Sequence, residues 1–234
     1  MKQKIKTFVK NNPLLLKMFR IVRSKQDMKS LFPKKKVSGS NNKFSIDQSV
    51  ILSNCSFDIA GDNNEIVIDK NCYFQDVIFY VHGNDNKIEI GDNVGFARGG
   101  FICIQDYGCV INIGDHSTFE EAHIAATEPN SRIDIGKDCM FANDIDIRTG
   151  DSHSIIDINS HKRINFAKNV TIEDHVWVAA HVSILKGAHI SKNSIVATRS
   201  VLTRKFTEEH IIVGGSPAVK IRDGITWARE RIYD

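Results

Sequence analysis

The sequence predicts an all-β fold, a parallel β-helix whose short strands wind into stacked, prism-shaped coils. Two repeats predict this fold. In the first, short segments of alternating apolar and polar residues recur every 22 or 23 positions, with inward-facing residues at Ile68, Ile90, Ile113 and Ile135. In the second, apolar residues stand six positions apart, at Ile172, Val178, Ile184, Ile190, Val196 and Leu202. Six residues turn an α-helix by about 600°, so these residues would not share one helical face.

Each group of six residues forms one face and one corner of the prism, so three groups make a coil of 18 residues. The longer spacing upstream is the same coil with a corner loop of four or five extra residues. At a strand separation of about 4.8 Å, residues 45–205 would form roughly seven or eight stacked coils. Such a stack exposes two open ends, and the segments 1–36 and Ile225–Tyr233 are predicted to cap them.

The composition indicates a folded domain in a reducing compartment. Hydrophobic residues make up 41% of the 234 residues and charged residues 25%, with only 4 prolines, which excludes a disordered or collagen-like chain. No apolar run approaches the roughly 20 residues that span a bilayer. The 5 cysteines are widely spaced and form no CxxC pair, so we expect buried thiols rather than disulfides or a zinc site. A cytoplasmic location follows from this interpretation.

The N-terminal segment is strongly basic. Residues 1–36 contain ten Lys, two Arg and one Asp, a net charge of +11, and the rest of the chain therefore carries −8. From Pro13 to Val22, apolar residues recur at three-and-four spacing, which predicts an amphipathic helix. Two interpretations stay open: the helix caps the open end of the coil, or its charges attach the protein peripherally to the anionic inner face of the membrane. A polyanionic glycan would suit the same charges, whereas no nucleic acid partner is predicted.

The chain divides into three predicted segments. Residues 1–40 form the basic N-terminal extension, residues 41–206 the β-helix domain, and residues 207–234 a C-terminal turn and tail. Both extensions are expected to be helical. The regular spacing breaks once. Ile135 and Ile172 are 37 positions apart, whereas the corresponding residues of earlier coils are 22 or 23 positions apart and the later coils contain 18 residues. An inserted loop, residues 148–165, accounts for the excess.

Four short motifs resemble those of the hexapeptide-repeat acyltransferases: DSHSI at 151–155, IEDHVWV at 172–178, ILKG at 184–187 and GGSPA at 214–218. Further motifs are most similar to the bacterial capsular sialic acid and polysialic acid O-acetyltransferases, at residues 133–140, 147–148, 163–165 and 225–227. The resemblance implies a left-handed β-helix that assembles as a homotrimer with its active sites between subunits. It also implies acetyl-CoA as the cosubstrate, a hydroxyl or amine as the acceptor, and no required metal.

His153, in the inserted loop, is the candidate catalytic base. A sugar hydroxyl is a poor nucleophile until its proton is being removed, and a neutral imidazole suits that task near pH 7. By the resemblance, His153 takes the acceptor proton and later returns it to the CoA thiolate. Asp151 or Asp157 would orient its ring, and the sequence does not choose between them. The resemblance also implies that Trp177 lies beside the acceptor or the thioester, with Arg148 and Asp151 as substrate-binding residues.

The resemblance further implies where acetyl-CoA binds. Its pantetheine arm would lie along successive coils, where a narrow groove offers backbone hydrogen bonds, and its phosphates would meet basic side chains. The expected cofactor-binding residues are Ala179, Ala180, Lys186, Ala197, Thr198, Ser200, Arg204, Lys205, Pro217, Ala218, Lys220 and Arg222. His175, His181 and His189 lie on the same coils but do not share one outward direction, so no metal site is predicted.

The predicted function is acetyl-CoA-dependent O-acetylation of a sugar hydroxyl on a bacterial capsular or lipopolysaccharide glycan, sialic acid-containing glycans included. Two alternatives stay open. One is an N-acetyltransferase of an amino nucleotide-sugar, and the other is a non-catalytic β-helix that serves as a scaffold or glycan-binding module. The sequence leaves open the acceptor sugar, the modified hydroxyl, and the choice between a polymeric and a monomeric acceptor.

Overall fold

A computed structural model describes residues 33–233 of the chain, and within them every regular element is a β-strand. The strands lie in three sheets. Sheet A contains β1 (Lys34–Ser38), β4 (Ser56–Ala60), β7 (Val77–His82), β10 (Gly100–Gln105), β13 (Ala122–Ala126), β16 (Ile145–Arg148), β19 (Ser183–Ile184) and β22 (Val201–Leu202). Sheet B contains β2 (Lys43–Ile46), β5 (Glu65–Ile68), β8 (Lys87–Ile90), β11 (Val110–Ile113), β14 (Arg132–Ile135), β17 (Val170–Ile172), β20 (His189–Ile190) and β23 (Lys205–Phe206). Sheet C contains β3 (Ile51–Ser53), β6 (Tyr73–Gln75), β9 (Gly95–Phe96), β12 (Thr118–Phe119), β15 (Met140–Phe141), β18 (Trp177–Val178), β21 (Ile195–Val196), β24 (Ile212–Gly215) and β25 (Ala218–Arg222).

Three successive strands, one in each sheet, make one turn of a parallel β-helix. Sheet A follows the order β1-β4-β7 onward, and sheets B and C repeat this progression, so the described residues contain 8 turns. Among the strands of residues 33–233, β24 and β25 are the one antiparallel pair, at the end of sheet C. The predicted all-β fold, a parallel β-helix, is confirmed. Its first strand, β1, lies within the segment that the sequence assigned to the basic extension.

Residues that occupy the same position in successive turns stack on one another and form the core. In sheet B, Ile68 pairs with Ile90, Ile90 with Ile113, and Ile113 with Ile135, and each side chain is at most 3% exposed. The next step skips the inserted loop and pairs Ile135 with Ile172. The 22-residue, 23-residue and 37-residue spacings therefore all return the chain to the same inward position.

Apolar columns fill the prism along its whole axis. The rings of Phe74, Phe96, Phe119 and Phe141 stack through consecutive turns of sheet C, with centroid distances of 5.5, 4.2 and 4.4 Å. The six residues of the predicted six-residue series are all buried, at 1% exposure or less. The cysteines are buried and unpaired, as predicted. This continuous apolar burial, shared between neighbouring turns, is the main stabilising contribution to such a fold.

Residues with a left-handed backbone conformation form the tight turns at the corners. At the corner between sheets B and C, seven successive turns each use one residue with φ between 51° and 62°: Asn71, Asn93, His116, Asp138, His175, Asn193 and His210. Asn, Asp and His enter this region more readily than other residues with side chains. The corners are named below by the sheets they join, as the A–B, B–C and C–A corners.

The helix predicted for the C-terminal extension is wrong for the described residues. Residues 207–233 contain β24, β25 and an irregular tail. β24 continues sheet C into the last turn and β25 folds back against it, so sheet pairing satisfies the backbone groups that a helix would otherwise pair. The tail was predicted to cap an open end, but its residues 225–229 lie along the B–C corner, where their side chains find partners on several turns.

The predicted N-terminal helix lies outside the described residues, as does most of the predicted cap formed by residues 1–36. Lys34, Lys35 and Lys36, the part of that segment which is described, are exposed on β1. No helix long and apolar enough to cross a membrane occurs within residues 33–233.

Candidate active site

The inserted loop is the largest irregular segment among the described turns. It leaves sheet A after β16 and enters sheet B at β17, so residues 149–169 replace an A–B corner of a few residues. One antiparallel bridge, Ile156 with Arg163, folds the loop on itself. Several of its apolar side chains are exposed, including Ile158 at 82% and Phe166 at 59%.

Asn165 holds the base of this loop together. Its side-chain amide donates to Asp151 Oδ2 and to the carbonyl of His153, both at 2.8 Å. Its side-chain oxygen accepts the backbone N–H of Ile155, also at 2.8 Å. Lys186, one turn further along, donates to Asp151 and to the Asn165 carbonyl. The Lys186 hydrogen bond is the main reason that the pKa of Asp151 lies below its ordinary value.

A second anchor ties the loop to the preceding turn. Arg163 forms an ion pair with Glu128, which sits in the A–B corner between β13 and β14, and both side chains are at most 25% exposed. The other carboxylate oxygen of Glu128 accepts the backbone N–H of Ala167 at 3.2 Å. Contacts with Lys186 on the following turn and with Glu128 on the preceding turn therefore hold the loop against the β-helix.

His153 is exposed at the entrance of the loop. Its backbone is fixed, because its N–H donates to the Asp151 carbonyl at 2.8 Å and its carbonyl accepts from Asn165. Within residues 33–233 no hydrogen bond engages its imidazole. Asp151 is bound to Lys186 and Asn165, while Asp157 accepts three hydrogen bonds from Asn159 and Ser160. Neither carboxylate considered from the sequence therefore contacts the ring in one chain.

Trp177 lies on a different face of the prism. It is the first residue of β18 in sheet C, half-buried between Met140 and Ile195 on the neighbouring strands. The ring of Trp227 in the C-terminal tail lies 6.3 Å from its ring. Because His153 projects from the A–B corner, one chain by itself does not bring these two candidate residues together.

Five of the expected cofactor residues lie along the C–A corner. Ala179 and Ala180 follow β18, and the next turn carries Ala197, Thr198 and Ser200 at the equivalent corner. The Thr198 hydroxyl donates to the Ala180 carbonyl at 2.8 Å, which ties the two turns together. Four of these five side chains, those of Ala179, Ala180, Ala197 and Ser200, are small.

Further expected cofactor residues lie near the last turn. Pro217 lies in the hairpin between β24 and β25, Ala218 begins β25, and Arg204 donates to the Ala218 carbonyl at 2.9 Å. Lys205 and Arg222 are exposed, and Lys220 pairs with Glu208 at 2.8 Å. Three of the expected cofactor residues lie away from sheet C: Lys186 and Arg204 are at the A–B corner, with Lys186 in the base of the loop, and Lys205 is on β23 of sheet B.

Arg148 belongs to a polar network on the outer face of sheet A. Its Nε donates to both carboxylate oxygens of Asp146 at 2.7 Å, and its Nη2 lies 3.3 Å from His123 Nδ1. Burial by itself would raise the pKa of Asp146, but hydrogen bonds from His123 and Arg148 outweigh it and hold that pKa below its ordinary value. These residues and Phe101 line a groove of about 640 Å³. The sequence did not single out His123 and Asp146, although both occupy outward positions beside Arg148.

Metal-ligating side chains do not cluster in this part of the chain: within residues 33–233, no three or more His, Cys, Asp or Glu side chains are arranged to hold a metal ion. The candidate site therefore consists of the loop with His153 at the A–B corner, Trp177 on sheet C, and the small residues of the C–A corner.

No family model matches the chain. A polysialic acid O-acetyltransferase of Escherichia coli O1:K1 is 34% identical over 122 residues, which covers 52% of this chain and 39% of that relative. A polysialic acid O-acetyltransferase of Neisseria meningitidis is 33% identical over 134 residues, covering 57% of this chain and 62% of that relative. The chain thus spans less than two thirds of the length of either curated relative.

Two solved structures are similar over most of the chain. The polysialic-acid-specific acetyltransferase NeuO superimposes with a TM-score of 0.75 at 28% identity, covering 85% of this chain and 89% of NeuO. The polysialic acid O-acetyltransferase OatWY superimposes with a TM-score of 0.78 at 29% identity, covering 86% of this chain and 93% of OatWY. The resemblance predicted from the sequence is confirmed: in sequence and in fold, the chain is similar to the polysialic acid O-acetyltransferases.

Proposed function

We propose that this protein is an acetyl-CoA-dependent O-acetyltransferase that modifies a hydroxyl of a bacterial surface glycan. The observation that carries the proposal is the exposed imidazole of His153, which has no partner within the described residues, on a loop whose backbone is anchored twice. The similarity to two polysialic acid acetyltransferase structures over more than four fifths of the chain supports the reaction and a sialylated acceptor.

In the proposed reaction, an unprotonated nitrogen of His153 accepts the proton of the acceptor hydroxyl as its oxygen attacks the thioester carbonyl. The bond from the carbonyl carbon to sulfur then breaks, and the imidazolium returns its proton to the departing CoA thiolate. The products are the acetyl ester and free CoA, and His153 recovers its neutral form. Asn165 and Asp151 contribute by fixing the backbone on either side of the base.

Acetyl-CoA is proposed to lie along the C–A corner. The side chains of Ala179, Ala180, Ala197 and Thr198 are short enough for an extended arm to approach the backbone there. Arg204, Lys205 and Arg222 supply positive charge near the last turn for its phosphates. Because acetyl-CoA is a cytoplasmic metabolite, the proposal assigns the protein to that compartment.

A complete site is proposed to need two subunits. The loop with His153 and the corner with the acetyl-CoA residues lie at opposite edges of sheet A, so they flank this sheet within one chain. A cyclic homotrimer would bring the A–B corner of one subunit against the C–A corner of the next and would repeat the contact three times. Trp177 lies next to Ala179, so it would face the neighbouring subunit's loop.

The test is release of CoA thiol from acetyl-CoA, screened over sialylated glycans, neutral glycans and amino-sugars. We expect release with a sialylated glycan, and transfer to an ester that mild base removes. Release only with amino-sugars would indicate the N-acetyltransferase instead. No release with any acceptor would contradict enzymatic function and favour a scaffold.

A matched pair of loop variants tests the base. His153→Asn should lower turnover at saturating substrate by at least about a hundredfold, the usual contribution of a general base. His161→Asn is the control, because His161 is an exposed histidine in the same loop with a left-handed backbone that Asn tolerates. Near-normal turnover of His153→Asn, or an equal loss in both variants, would contradict the assignment.

A further inference from the structure

The C-terminal tail runs along the B–C corner and contacts several turns of the helix. Ile225 exchanges two hydrogen bonds with His210 of the last turn, at 3.1 and 3.0 Å. Trp227 reaches the turn of His175. Arg229 reaches two turns further back, where it donates to the Thr118 hydroxyl at 2.8 Å. The tail therefore spans five turns and holds its residues in a defined order along the corner.

Trp227 is the central residue of this contact. Its side chain is only 7% exposed, and its indole Nε1 donates to the His175 carbonyl at 2.8 Å. Its ring stacks on the His175 imidazole with a centroid distance of 4.3 Å and an interplanar angle of 8°. The centroid of the indole lies 6.3 Å from that of the Trp177 ring, at an interplanar angle of 49°. Trp227 thus joins the B–C corner to the candidate active-site tryptophan.

Charged groups hold this stack in place. His175 Nδ1 lies 2.9 Å from Asp138 Oδ2, and His175 Nε2 lies 3.1 Å from the Trp227 carbonyl oxygen, both within hydrogen-bond distance. Arg229 donates to Asp138 at 3.0 Å and lies 5.7 Å from the Trp227 ring. Four side chains, Asp138, His175, Trp227 and Arg229, therefore form one clasp.

We propose that Trp227 is a positioning residue for the acetyl transfer, acting through Trp177. This inference rests on the proposed function, since it takes Trp177 as a wall of the acceptor or thioester pocket. Trp177 is half-buried, so part of its side chain is accessible to solvent. The clasp limits the orientations of that ring by closing the side that faces the B–C corner. A displacement of about 1 Å in a reacting group, caused by a change far from the chemistry, can lower the rate about a hundredfold.

The two indoles provide a direct readout, because the chain contains only 2 tryptophans. Two rings held 6.3 Å apart at a fixed angle should give a coupled signal in the circular dichroism spectrum. We expect this signal in the wild-type protein and its loss in both Trp177→Phe and Trp227→Phe. A wild-type spectrum that equals the sum of the two single-tryptophan variants would overturn the fixed arrangement.

Kinetics of the tail variants then test the function of the clasp. We expect Trp227→Ala to lower kcat about ten- to a hundredfold, as for other misplaced catalytic groups, with smaller changes in KM. Trp227→Phe retains a stacking ring and should recover part of that loss. Ile232→Ala is the control, because this side chain lies in the same tail and is 79% exposed. Its kcat should equal that of the wild type.

A wild-type kcat in Trp227→Ala would overturn the inference. If Trp227→Ala does not fold, Arg229→Gln tests the same point, because it removes one support of Asp138 and leaves every ring of the clasp. We then expect a lower kcat and a weaker coupled signal, and a wild-type kcat with a weakened signal would overturn the inference. Absence of activity in the wild-type protein with every acceptor would instead count against the proposed function alone.

Discussion

At the scale of single residues, the candidate base depends on a buried amide. Asn165 is 6% exposed, and its side chain satisfies Asp151, the His153 carbonyl and the Ile155 N–H at once. Buried polar groups that are fully paired give one well-defined arrangement, whereas partly paired groups cost free energy. The backbone of His153 is therefore ordered while its imidazole stays accessible.

Asp151→Asn tests this anchor, because it removes the ion pair with Lys186 and keeps the size of the side chain. The pKa of Asp151 lies below its ordinary value of 3.8, mainly because Lys186 donates a hydrogen bond to the carboxylate. The ionised group therefore stabilises the folded loop above that pH, and this contribution is lost as the pH falls through the lowered pKa. We expect faster amide hydrogen exchange across residues 149–169 in the variant at pH 7.

The wild-type protein should show the same loosening only below pH 3.8, as Asp151 becomes protonated. Asp58→Asn is the control, because Asp58 is a paired carboxylate in an early turn, and exchange in the loop should not respond to it. Loop exchange at pH 7 that is the same in Asp151→Asn and wild type would show that the ion pair does not order the loop.

At the scale of elements, the two-residue strands of the later turns, such as β19 and β20, each bury one inward side chain and depend on the strands of the neighbouring turns. Ile184 in β19 is fully buried and aligned with Ile147 and Leu202. The adjacent Ser183 points away from the core on the same strand. In this two-residue strand, Ile184 therefore packs in the core while Ser183 lies on the outer face.

Ile184→Asp should abolish soluble folded protein, because a carboxylate at this position would be buried without a partner. Ser183→Asp introduces the same group one residue earlier, on the outer face, and should fold with a thermal midpoint close to the wild type. Circular dichroism during heating and the soluble yield measure both outcomes. A folded and stable Ile184→Asp protein would contradict the stacked-core account.

The basic N-terminal segment supports a prediction about an anionic surface. Residues 1–32 carry a net charge of +8, and the stacked strands begin at Lys34, so a cut after residue 32 leaves β1 intact. We expect the full-length protein to sediment with anionic vesicles at low salt and to be released as salt rises, since each basic residue near such a surface contributes about 1 kcal/mol. The truncated protein should stay in the supernatant and keep its activity.

Vesicles of neutral lipid are the control for this experiment, and neither protein should sediment with them. If the full-length protein stays in solution with anionic vesicles even at low salt, membrane attachment is wrong and a cap over the open end is the better interpretation of the segment.

At the scale of the whole molecule, the prism separates the two halves of the proposed site. The A–B corner carries the loop with His153, and the C–A corner carries Ala179 and Ala197. These corners stay apart along the whole axis, because each corner lies between the same two sheets in every turn. In the proposed trimer, a second copy of the chain brings its C–A corner to the loop.

Mixing two inactive variants tests this arrangement. His153→Asn removes the base, and Ala179→Trp fills the proposed groove at the other corner. We expect each homotrimer to be inactive and mixed trimers to regain activity at about one site in three, because one contact per trimer then joins two intact halves. Mass spectrometry confirms the mixed species. Confirmed mixed trimers without activity, or a monomer by light scattering, would contradict shared sites.

The sequence by itself determined the fold and the location of the inserted loop. A β-helix repeats one local rule, so Ile90, Ile113 and Ile135 reveal their inward positions through spacing alone, and the break before Ile172 reveals the loop. No knowledge of distant partners is needed, since each turn packs on a copy of the same pattern. The motifs within that loop and along the later turns then identified the similar proteins.

The tertiary structure decided the contacts that no repeat encodes. Lys186 joins Asp151 in the base of the loop, and Trp227 stacks on His175, which lies 52 residues earlier in the chain. The C-terminal segment that was expected to be helical instead extends sheet C with β24 and β25. Each of these contacts joins residues that the repeat does not relate to one another. The two partners come within reach only after the turns have stacked, so the assembled β-helix determines which residues meet.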